Sequence, residues 1–440
     1  MHELESEMQF QRSFESYVAK LGDGAHLDDN LSSSNGNGIS VRCPSTSVNS
    51  EEAPAEGLRI ALQHFSQSFN LCDALWLAAE VFGKYALPHV LLWYGSDEER
   101  TKGDDKMLPQ TTFYPSVTKN HSIHEIDSMV FHKRVIAELR NVLLEVKDAI
   151  VSHYSVSPPT CRMIFSSESA RNRRRKLEDR ITAIPRLSVL YPNKMWVEVF
   201  SVFKGAAVFA LLLAFRRRLN QRHDQTWILL EKNFGDLSVF CIFDGHAGSE
   251  CAAYMSTHLV SHICTSKFFP ADLCKAMNEG FSSVDRTFLE KCQRENIKSG
   301  CTAICALVTA SNISLAWVGD CAAVVIDRFH NSSLLTRAHN VENSKERARI
   351  ENSGGFIINV QGEYRVNGWI NVTRSFGDIT IKPPLIVEPD TTTFSIGDEH
   401  MFLVLGSDGF WDGVSPTKCA QLVSDFLLNL SDSSGKTYLR

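Results

Sequence analysis

The hydrophobic pattern divides the chain into a helical first part and a β-rich second part. Residues 24–56 are rich in Ser, Asn, Gly and Asp, and they predict a disordered, low-complexity N-terminus over 1–56. From Leu58 to Tyr94 the chain is apolar and helical in character, so a helical N-terminal extension is expected over 57–155. One face of an amphipathic helix over about 129–153 is formed by Val135, Ile136, Leu139, Val142, Leu143, Val146 and Ile150. The extension carries no chemical motif, which leaves a regulatory docking role and a plain structural role open.

From Cys161 onward, short β-like runs are separated by helices. Four runs predict strands, namely Thr302–Val308, Ser314–Val318, Ala322–Ile326 and Met401–Leu405. Apolar residues at helical spacing predict one helix face, formed by Leu273, Met277, Phe281, Val284 and Phe288. Strands in hairpin-like succession, with helices inserted in pairs, favour an antiparallel α+β layered fold over a doubly wound parallel sheet.

Composition excludes some classes of protein and indicates a compartment. Of the 440 residues, 43% are hydrophobic and 22% are charged, which is ordinary for a soluble globular chain. A formal net charge of −6 argues against a general nucleic-acid binder. The 12 cysteines include no CxxC pair and fit reduced thiols in the cytoplasm or nucleus. The acidic start, Met1–Glu5, lacks an apolar run and argues against a secretory signal. We therefore expect a cytoplasmic protein, with the nucleus as the alternative.

Two Asp-Gly pairs follow apolar runs that read as buried strands. Asp244 and Gly245 come directly after the run 237–242, and Asp408 comes soon after the run 402–406. Each pair alone is a turn signal. Two such strand ends can also bring hard oxygen ligands together around small divalent cations.

Further motifs lie at ordered positions around the two Asp-Gly pairs. They are Arg174 before Glu178 and Asp179, the run Ser299–Ala303 with Thr302, the run Trp317–Asp320, the run Thr373–Asp378 with Arg374, and Asp412 after Asp408. Over about 170–428 this ordered set resembles the metal-dependent Ser/Thr protein phosphatases, the type 2C or PPM family. The resemblance implies a domain over 160–440 in which two antiparallel β-sheets are sandwiched between helical layers.

The resemblance also implies a chemistry and a set of metal ligands. A protein of this family hydrolyses phosphoserine and phosphothreonine with a water activated by two Mn²⁺ or Mg²⁺ ions, and forms no phospho-enzyme. By resemblance, Asp244 would bridge both ions, and the Gly245 carbonyl would ligate one of them. Asp408 would hold the other ion, Glu178 would act through a water, and Asp320 would lie at a weaker third site. Asp320 could equally be a plain turn carboxylate.

Two residues are expected to act on the phosphoryl group itself. By resemblance, Arg174 would bind the phosphate through its planar guanidinium, and His246 would sit near the leaving oxygen as general acid. Each residue also has an alternative interpretation without a catalytic role. The basic run 171–176 could be a solvated surface or a localisation signal, and His246 could be an exposed turn residue. Residues expected to shape the site are Asp179, Thr302, Arg374, Asp378 and Asp412.

Some stretches indicate a branch within the family. The basic run before Glu178, residues 348–357 and residues 364–378 resemble the branch that dephosphorylates calmodulin-dependent kinases and p21-activated kinases. That branch carries a long helical N-terminal extension. The resemblance therefore implies phosphorylated proteins as partners, among them such kinases.

The pattern breaks after Asp412. Family members carry a further metal-ligand aspartate in a later strand, whereas the acidic residues that follow here are Asp425 and Asp432, in no such motif. An incomplete C-terminal end of the domain is therefore expected, and two hypotheses stand. The chain is an active phosphatase, or it is a catalytically impaired pseudophosphatase that acts as a phosphoprotein- or kinase-binding scaffold. Binding of two metal ions would separate the hypotheses.

One apolar segment does not fit the family pattern. Residues 196–215 are mostly apolar and precede three arginines, so they could pass for a membrane span. Lys204 near the middle would cost about 3 kcal/mol on insertion scales. A single span would also separate Glu178 from Asp244, which must share one site. The sequence thus favours an insertion at about 192–232, either a splice or gene-model artefact or an interaction helix, over a membrane-anchored protein.

Overall fold

The computed structural model describes eight stretches of the chain, which fall into two compact units. The described residues are 2–22, 47–94, 125–156, 165–168, 178–184, 187–190, 225–229 and 237–424. Unit 1 comprises Met1–Cys161 with Ser188–Asn193, and unit 2 comprises Arg162–Leu187 with Lys194–Arg440.

Unit 1 is helical. Up to residue 161 its elements are α1 (His2–Gly22), β1 (Ser47–Val48), α2 (Ala53–Phe65), α3 (Leu71–Leu77), a π-helix (Ala78–Ala86), α4 (Leu87–Leu92), β2 (Ile126–Asp127) and α5 (Ser128–Val156). The amphipathic helix expected over about 129–153 is confirmed as α5, and its Val135, Leu139 and Leu143 are buried in the core of the unit.

The expectation of disorder over 1–56 is wrong for α1, β1 and the start of α2. The reason lies in α1, where Phe10, Phe14 and Tyr17 recur at helical spacing and are all buried in the core of unit 1. Burying three aromatic side chains stabilises this helix by far more than its local composition suggests. Residues 23–46 lie outside the described residues.

The part of the chain beyond residue 161 supplies strands in antiparallel pairs and helices between them. Its elements are β3 (Phe165–Glu168), β4 (Arg180–Ile184), α6 (Leu187–Leu190), β5 (Gln225–Leu229), β6 (Ser238–His246), α7 (Glu250–Thr265), α8 (Leu273–Glu295), β7 (Gly300–Val308), β8 (Asn312–Val318), β9 (Ala322–Asp327), β10 (Ser332–Leu334), α9 (Ser344–Asn352), β11 (Ile357–Val360), β12 (Glu363–Val366), β13 (Phe376–Gly377), β14 (Asp390–Ser395), β15 (His400–Gly406), α10 (Asp408–Trp411) and α11 (416–424). All four predicted strands are confirmed, as β7, β8, β9 and β15.

Two sheets form the body of unit 2. The larger sheet has the order β14-β8-β7-β6-β4, with β13 pairing to β7, and the smaller has the order β10-β9-β15-β5-β3. Every strand pairing within these sheets is antiparallel. Apolar side chains from both sheets meet in one core, to which Phe240, Ile304, Val325 and Leu403 belong. A second apolar cluster joins the smaller sheet to α10 and α11, while α7 and α8 pack on the larger sheet. The predicted α+β sandwich between helical layers is therefore confirmed.

The insertion expected at about 192–232 is interrupted by a strand of the fold. Strand β5 (Gln225–Leu229) lies between β15 and β3 in the smaller sheet, with Trp227 opposite Val404. Its paired position in the sheet is a long-range contact that the local sequence does not display. The apolar segment 196–215 lies outside the described residues. Among the helices that the structure does describe, none is both long enough and apolar enough to cross a membrane.

A small subregion stands beside the two sheets. Strands β11 and β12 form a two-stranded hairpin, and α9 precedes it in the chain. Residues of α9, the hairpin and the segment after it share a core of Val341, Ile350, Val366, Ile370, Val372 and Leu385. This subregion supplies one wall of the candidate site.

Candidate active site

Two neighbouring strand ends place the two predicted aspartates together. The residues of β6 are buried from Ser238 to Phe243. Asp244 is partly exposed, and it lines a pocket at this end of the strand. Asp408 begins α10, directly after β15 and Ser407. The carboxylates of Asp244 and Asp408 lie within hydrogen-bonding reach of each other. The sequence prediction that the two Asp-Gly turns converge is thus borne out by the geometry.

One pocket of about 1140 Å³ gathers most of the predicted residues. Its lining includes five acidic residues, Glu178, Asp244, Asp320, Asp378 and Asp408, together with Gly245, His246 and Thr302. The lining also includes Lys298 and, from the hairpin subregion, Arg365 and Trp369. The pocket thus combines five carboxylates with the basic side chains of Lys298 and Arg365.

The carboxylates of this pocket repel one another. Burial raises the pKa of Asp244 well above its ordinary value, and the charges of Asp179, Asp408 and Asp320 raise it further. Burial and the charge of Asp408 likewise raise the pKa of Asp320 to about 6, although a hydrogen bond from Thr302 opposes the shift. The pocket therefore concentrates buried negative charge that the neighbouring side chains leave largely uncompensated.

The Glu178–Asp179 pair lies against Gly245 near the end of β6. The Gly245 amide donates a hydrogen bond of 3.3 Å to Oδ1 of Asp179. A Cβ on Gly245 would lie 2.4 Å from the backbone oxygen of Glu178, so only glycine permits this approach. The acidic pair thus fixes the peptide whose carbonyl is expected to bind metal, which is the structural role predicted for Asp179.

His246 has a carboxylate partner that the sequence analysis did not pair with it. Its Nε2 lies 2.8 Å from Oδ2 of Asp378, and the hydroxyl of Ser375 donates to the same oxygen at 2.5 Å. A Cβ on Gly300 would lie 2.2 Å from that oxygen and 2.4 Å from Nε2 of His246. The glycine of the Ser-Gly motif is therefore required so that the histidine and Asp378 can meet.

Arg374 does not line the pocket. Its guanidinium forms two hydrogen bonds to Glu346 of α9, at 2.7 and 3.2 Å, and one of 2.8 Å to Asp390 of β14. Thr373 and Arg349 donate to the same Glu346 carboxylate. Arg374 therefore joins the hairpin subregion to the larger sheet, which agrees with a role in shaping the site.

Two further predicted residues have different outcomes. Asp412 is exposed at the end of α10, where its amide donates to the Asp408 carbonyl at 2.8 Å, and its side chain is not among those that line the pocket. Arg174 lies outside the described residues, so its phosphate-binding role stays a prediction.

Comparison with known proteins decides the family. A model of the family "Protein phosphatase 2C" matches residues 213–434, which is half of the chain. The chain belongs to the protein phosphatase 2C family. The resemblance drawn from the motifs is thereby confirmed.

Curated relatives and a solved structure agree with this membership. Protein phosphatase 1E of Mus musculus is 31% identical over 224 residues, which cover 50% of this chain and 30% of the relative. Protein phosphatase 1F of Homo sapiens is 34% identical over 188 residues, 43% of this chain and 41% of the relative. The chain thus spans less than half the length of these two relatives. A solved C. elegans sex-determining protein is similar in fold, with a TM-score of 0.61 at 19% identity over 95% of this chain and 85% of that one.

The donor set of this phosphatase 2C pocket fits divalent cations. Within the described ranges, no group of three or more His, Cys, Asp or Glu residues is arranged to hold one metal ion. Asp244 and Asp408 nevertheless offer the hard oxygen donors that Mg²⁺ and Mn²⁺ prefer, and Asp320 lies close enough to interact with Asp408. A cation between these carboxylates would relieve the repulsion that raises the pKa of Asp244.

Sequence reasoning missed several residues that line or support the phosphatase 2C pocket. Lys298, Arg365 and Trp369 line the pocket, and Glu346 supports it through Arg374. Arg365 and Trp369 stood within the stretch 364–378 that indicated the family branch, so a signal was present, but nothing in it showed which side chains face the pocket.

Proposed function

We propose that this protein is a Ser/Thr protein phosphatase that hydrolyses phosphoserine and phosphothreonine with the help of Mn²⁺ or Mg²⁺. One observation carries the proposal. The carboxylates of Asp244 and Asp408 meet beside His246 in a single pocket of a phosphatase 2C fold, and burial together with the charges of Asp179, Asp408 and Asp320 raises the pKa of Asp244. Like charges that repel one another inside a pocket are costly in a purely structural role and are typical of functional sites, cation sites among them.

The residues present divide the metal-binding task among them. Asp244, the Gly245 carbonyl and Asp408 would hold two divalent ions, with Glu178 acting through water and Asp320 at a weaker third position. When bound, the ions supply an activated water and offset the charge of the phosphoryl group. Asp179 keeps the Gly245 peptide in place through its hydrogen bond to the amide.

His246 would donate a proton to the leaving oxygen. The contact between Nε2 and Asp378 fixes the ring and leaves Nδ1 as the nitrogen available to the leaving group. Because Asp378 also accepts from Ser375, its carboxylate has little freedom to turn away. The phosphate itself would be bound by Arg174, in the role that the family resemblance implies, while Lys298 adds positive charge to the pocket wall.

The substrates we propose are phosphorylated proteins, among them calmodulin-dependent or p21-activated protein kinases. Support comes from residues 348–357 and 364–378, which resemble the branch with that activity, and from the similarity to protein phosphatases 1E and 1F. The proposed location is the cytoplasm, with the nucleus as the alternative.

The test is phosphate release from a phosphothreonine peptide by the full 440-residue chain, with Mn²⁺ and with chelator. The variant Asp244→Asn is compared with Asp148→Asn, a matched change at an exposed position of α5. Metal-dependent turnover that Asp244→Asn abolishes and Asp148→Asn retains is expected. No turnover from a folded native chain would reject the enzyme and support a catalytically impaired scaffold, and equilibrium dialysis with Mn²⁺ would then show whether ions still bind.

A further inference from the structure

Exposed apolar side chains are concentrated beside the pocket. Six large hydrophobic residues are exposed in the described part of unit 2, namely Phe329, Leu334, Phe356, Ile358, Tyr364 and Trp369. Four of the six fall within residues 356–369, which form the hairpin and its flanks. Trp369 is 75% exposed, the highest value among them. Such a cluster indicates a contact surface, since scattered apolar residues on a surface are common but grouped ones are not.

The register of the hairpin separates a core face from an outer face. Ile357 pairs with Val366, and both belong to the apolar core of the subregion. The next pair, Ile358 and Arg365, therefore faces away from that core. A Cβ on Gly368 would lie 3.0 Å from Cδ1 of Ile358, so Ile358 lies directly against the turn that precedes Trp369. Phe356 joins the same turn, because its carbonyl accepts from the Asn367 amide at 2.8 Å.

The backbone that carries Trp369 is held firmly. The Trp369 amide donates to the Val366 carbonyl at 3.0 Å, and the Val366 amide donates to the Ile370 carbonyl at 2.7 Å. Nη1 of Arg365 donates to the Trp369 carbonyl at 2.9 Å. A fixed, exposed aromatic residue loses little conformational entropy when a partner covers it, which favours a role in binding.

This outer face is continuous with the catalytic pocket. Trp369 and Arg365 line the pocket together with Asp244 and His246. We infer that Phe356, Ile358 and Trp369 form a docking surface for the phosphoprotein segment that flanks the phosphorylated residue, and that this surface selects an aliphatic or aromatic side chain. The inference rests on the proposed phosphatase function and names the substrate class of that same site.

The charges around the docking surface favour an apolar occupant over an acidic one. Nη2 of Arg365, which lies on this outer face, pairs with Glu363 at 2.6 Å, so its positive charge is already offset. A phosphomonoester without a peptide would fill only the part of the pocket near the carboxylates. A peptide in extended conformation reaches further, because it rises about 3.3 Å per residue. An apolar side chain within a few residues of the phosphothreonine can therefore cover Trp369.

The experiment uses fluorescein-labelled phosphothreonine nonapeptides in an alanine-serine background. One carries leucine and phenylalanine beside the phosphothreonine, and the other carries aspartate there. Trp369→Ala in the full chain is compared with Phe329→Ala, a change at an exposed phenylalanine of the β9–β10 turn, 65% exposed and absent from the residues that line the pocket. Binding is measured by anisotropy and turnover by phosphate release, with p-nitrophenyl phosphate as a substrate that lacks a peptide.

The expected result is a loss of about tenfold in affinity of Trp369→Ala for the apolar peptide, with a matching rise in KM. The aspartate peptide should change less, and Phe329→Ala should bind both peptides as the native chain does. A second variant, Phe356→Ala, should give a smaller loss in the same direction. The midpoint of urea unfolding, compared between each variant and the native chain, shows whether the fold is retained.

Three outcomes would overturn the inference. If Trp369→Ala lost equal affinity for the apolar and the aspartate peptide, Trp369 would contribute to the pocket in general and would not select an apolar side chain. Unchanged peptide binding in both variants would remove the docking role. Sedimentation showing a native dimer that Trp369→Ala dissociates would assign the face to a second copy of the chain. Absence of turnover with every substrate, p-nitrophenyl phosphate included, would reject the proposed enzyme, while the anisotropy measurement would still decide the docking surface.

Discussion

Unit 2 contains two buried acidic centres with opposite electrostatics. At the pocket, Asp244 faces the carboxylates of Asp408 and Asp320, and its pKa is raised well above the ordinary value. At the second centre, burial acts to raise the pKa of Glu346, but hydrogen bonds from Arg374, Arg349 and Thr373 outweigh it and hold that pKa at about 2. One centre has surplus negative charge, and the other is fully paired.

The difference separates a carboxylate that is paired within the fold from carboxylates whose repulsion fits the proposed cation site. Glu346 receives its counter-charge from the chain, so it fastens α9 to Arg374 and, through Arg374, to Asp390. The pocket carboxylates receive no comparable charge from the side chains described around them, and a divalent cation is the chemical species that would supply it. Four predictions test this contrast, and they begin with the largest effect.

Glu346→Gln should lower the free energy of unfolding by about 3 kcal/mol, because it leaves Arg374 buried without its bidentate partner. Urea unfolding of the purified chain measures this. Glu351→Gln, an exposed residue of the same helix, serves as the control and should change stability little. A loss equal to that of the control would mean that the second centre is not a structural ion pair.

Asp244→Asn should lower metal-dependent turnover by at least about 100-fold, since even changes beside a metal ligand cost up to that much. In chelator the same variant should be more stable than the native chain, because one of the repelling charges is gone. Phosphate release and urea unfolding measure the two effects. A variant that is less stable than the native chain in chelator would contradict the surplus of negative charge at the pocket.

Gly300→Ala should lower turnover of a phosphothreonine peptide by about tenfold, because the new methyl group forces Asp378 away from His246. Turnover of p-nitrophenyl phosphate should fall less, since its leaving group needs less help from a proton donor. The matched control is Gly354→Ala, at a position where an added Cβ meets no atom within 4 Å, although its φ of +83° adds backbone strain. Equal losses on both substrates would show that the alanine harms the fold rather than the histidine.

The smallest effect is a pH dependence confined to the second centre. The folded pKa of Glu346, about 2, lies below its ordinary value, so its stabilisation is present above the unfolded pKa and is lost as the pH falls. Between pH 7 and pH 4 the stability difference between the native chain and Glu346→Gln should shrink by roughly 1 kcal/mol. Urea unfolding at both pH values measures it. A difference that grows on acidification would contradict the assigned pairing.

The sequence predicted those parts of the site that local pattern determines. Asp244 and Asp408 were found because each follows a buried strand and precedes glycine, and both features are visible within a few residues. The pairing of Arg374 with Glu346 spans 28 residues, and the opposition of β5 to β15 spans far more, so neither has a local signature. The burial of Phe10 and Phe14 in α1 similarly depends on distant partners. The exposure of Trp369 is a property of the folded surface, and composition around it gives no sign of it.

The placement of β6 has a consequence for motion. Because β6 is paired with β4 up to Phe243 and with β7 along its whole length, the amides that lead up to Asp244 can exchange with solvent only when the larger sheet itself opens. The hairpin of β11 and β12 is a sheet of two strands and can open at much lower free energy. The amides of β6 are therefore expected to exchange with solvent more slowly than those of the hairpin, whose closed form keeps the Trp369 backbone in place through the hydrogen bonds of Val366.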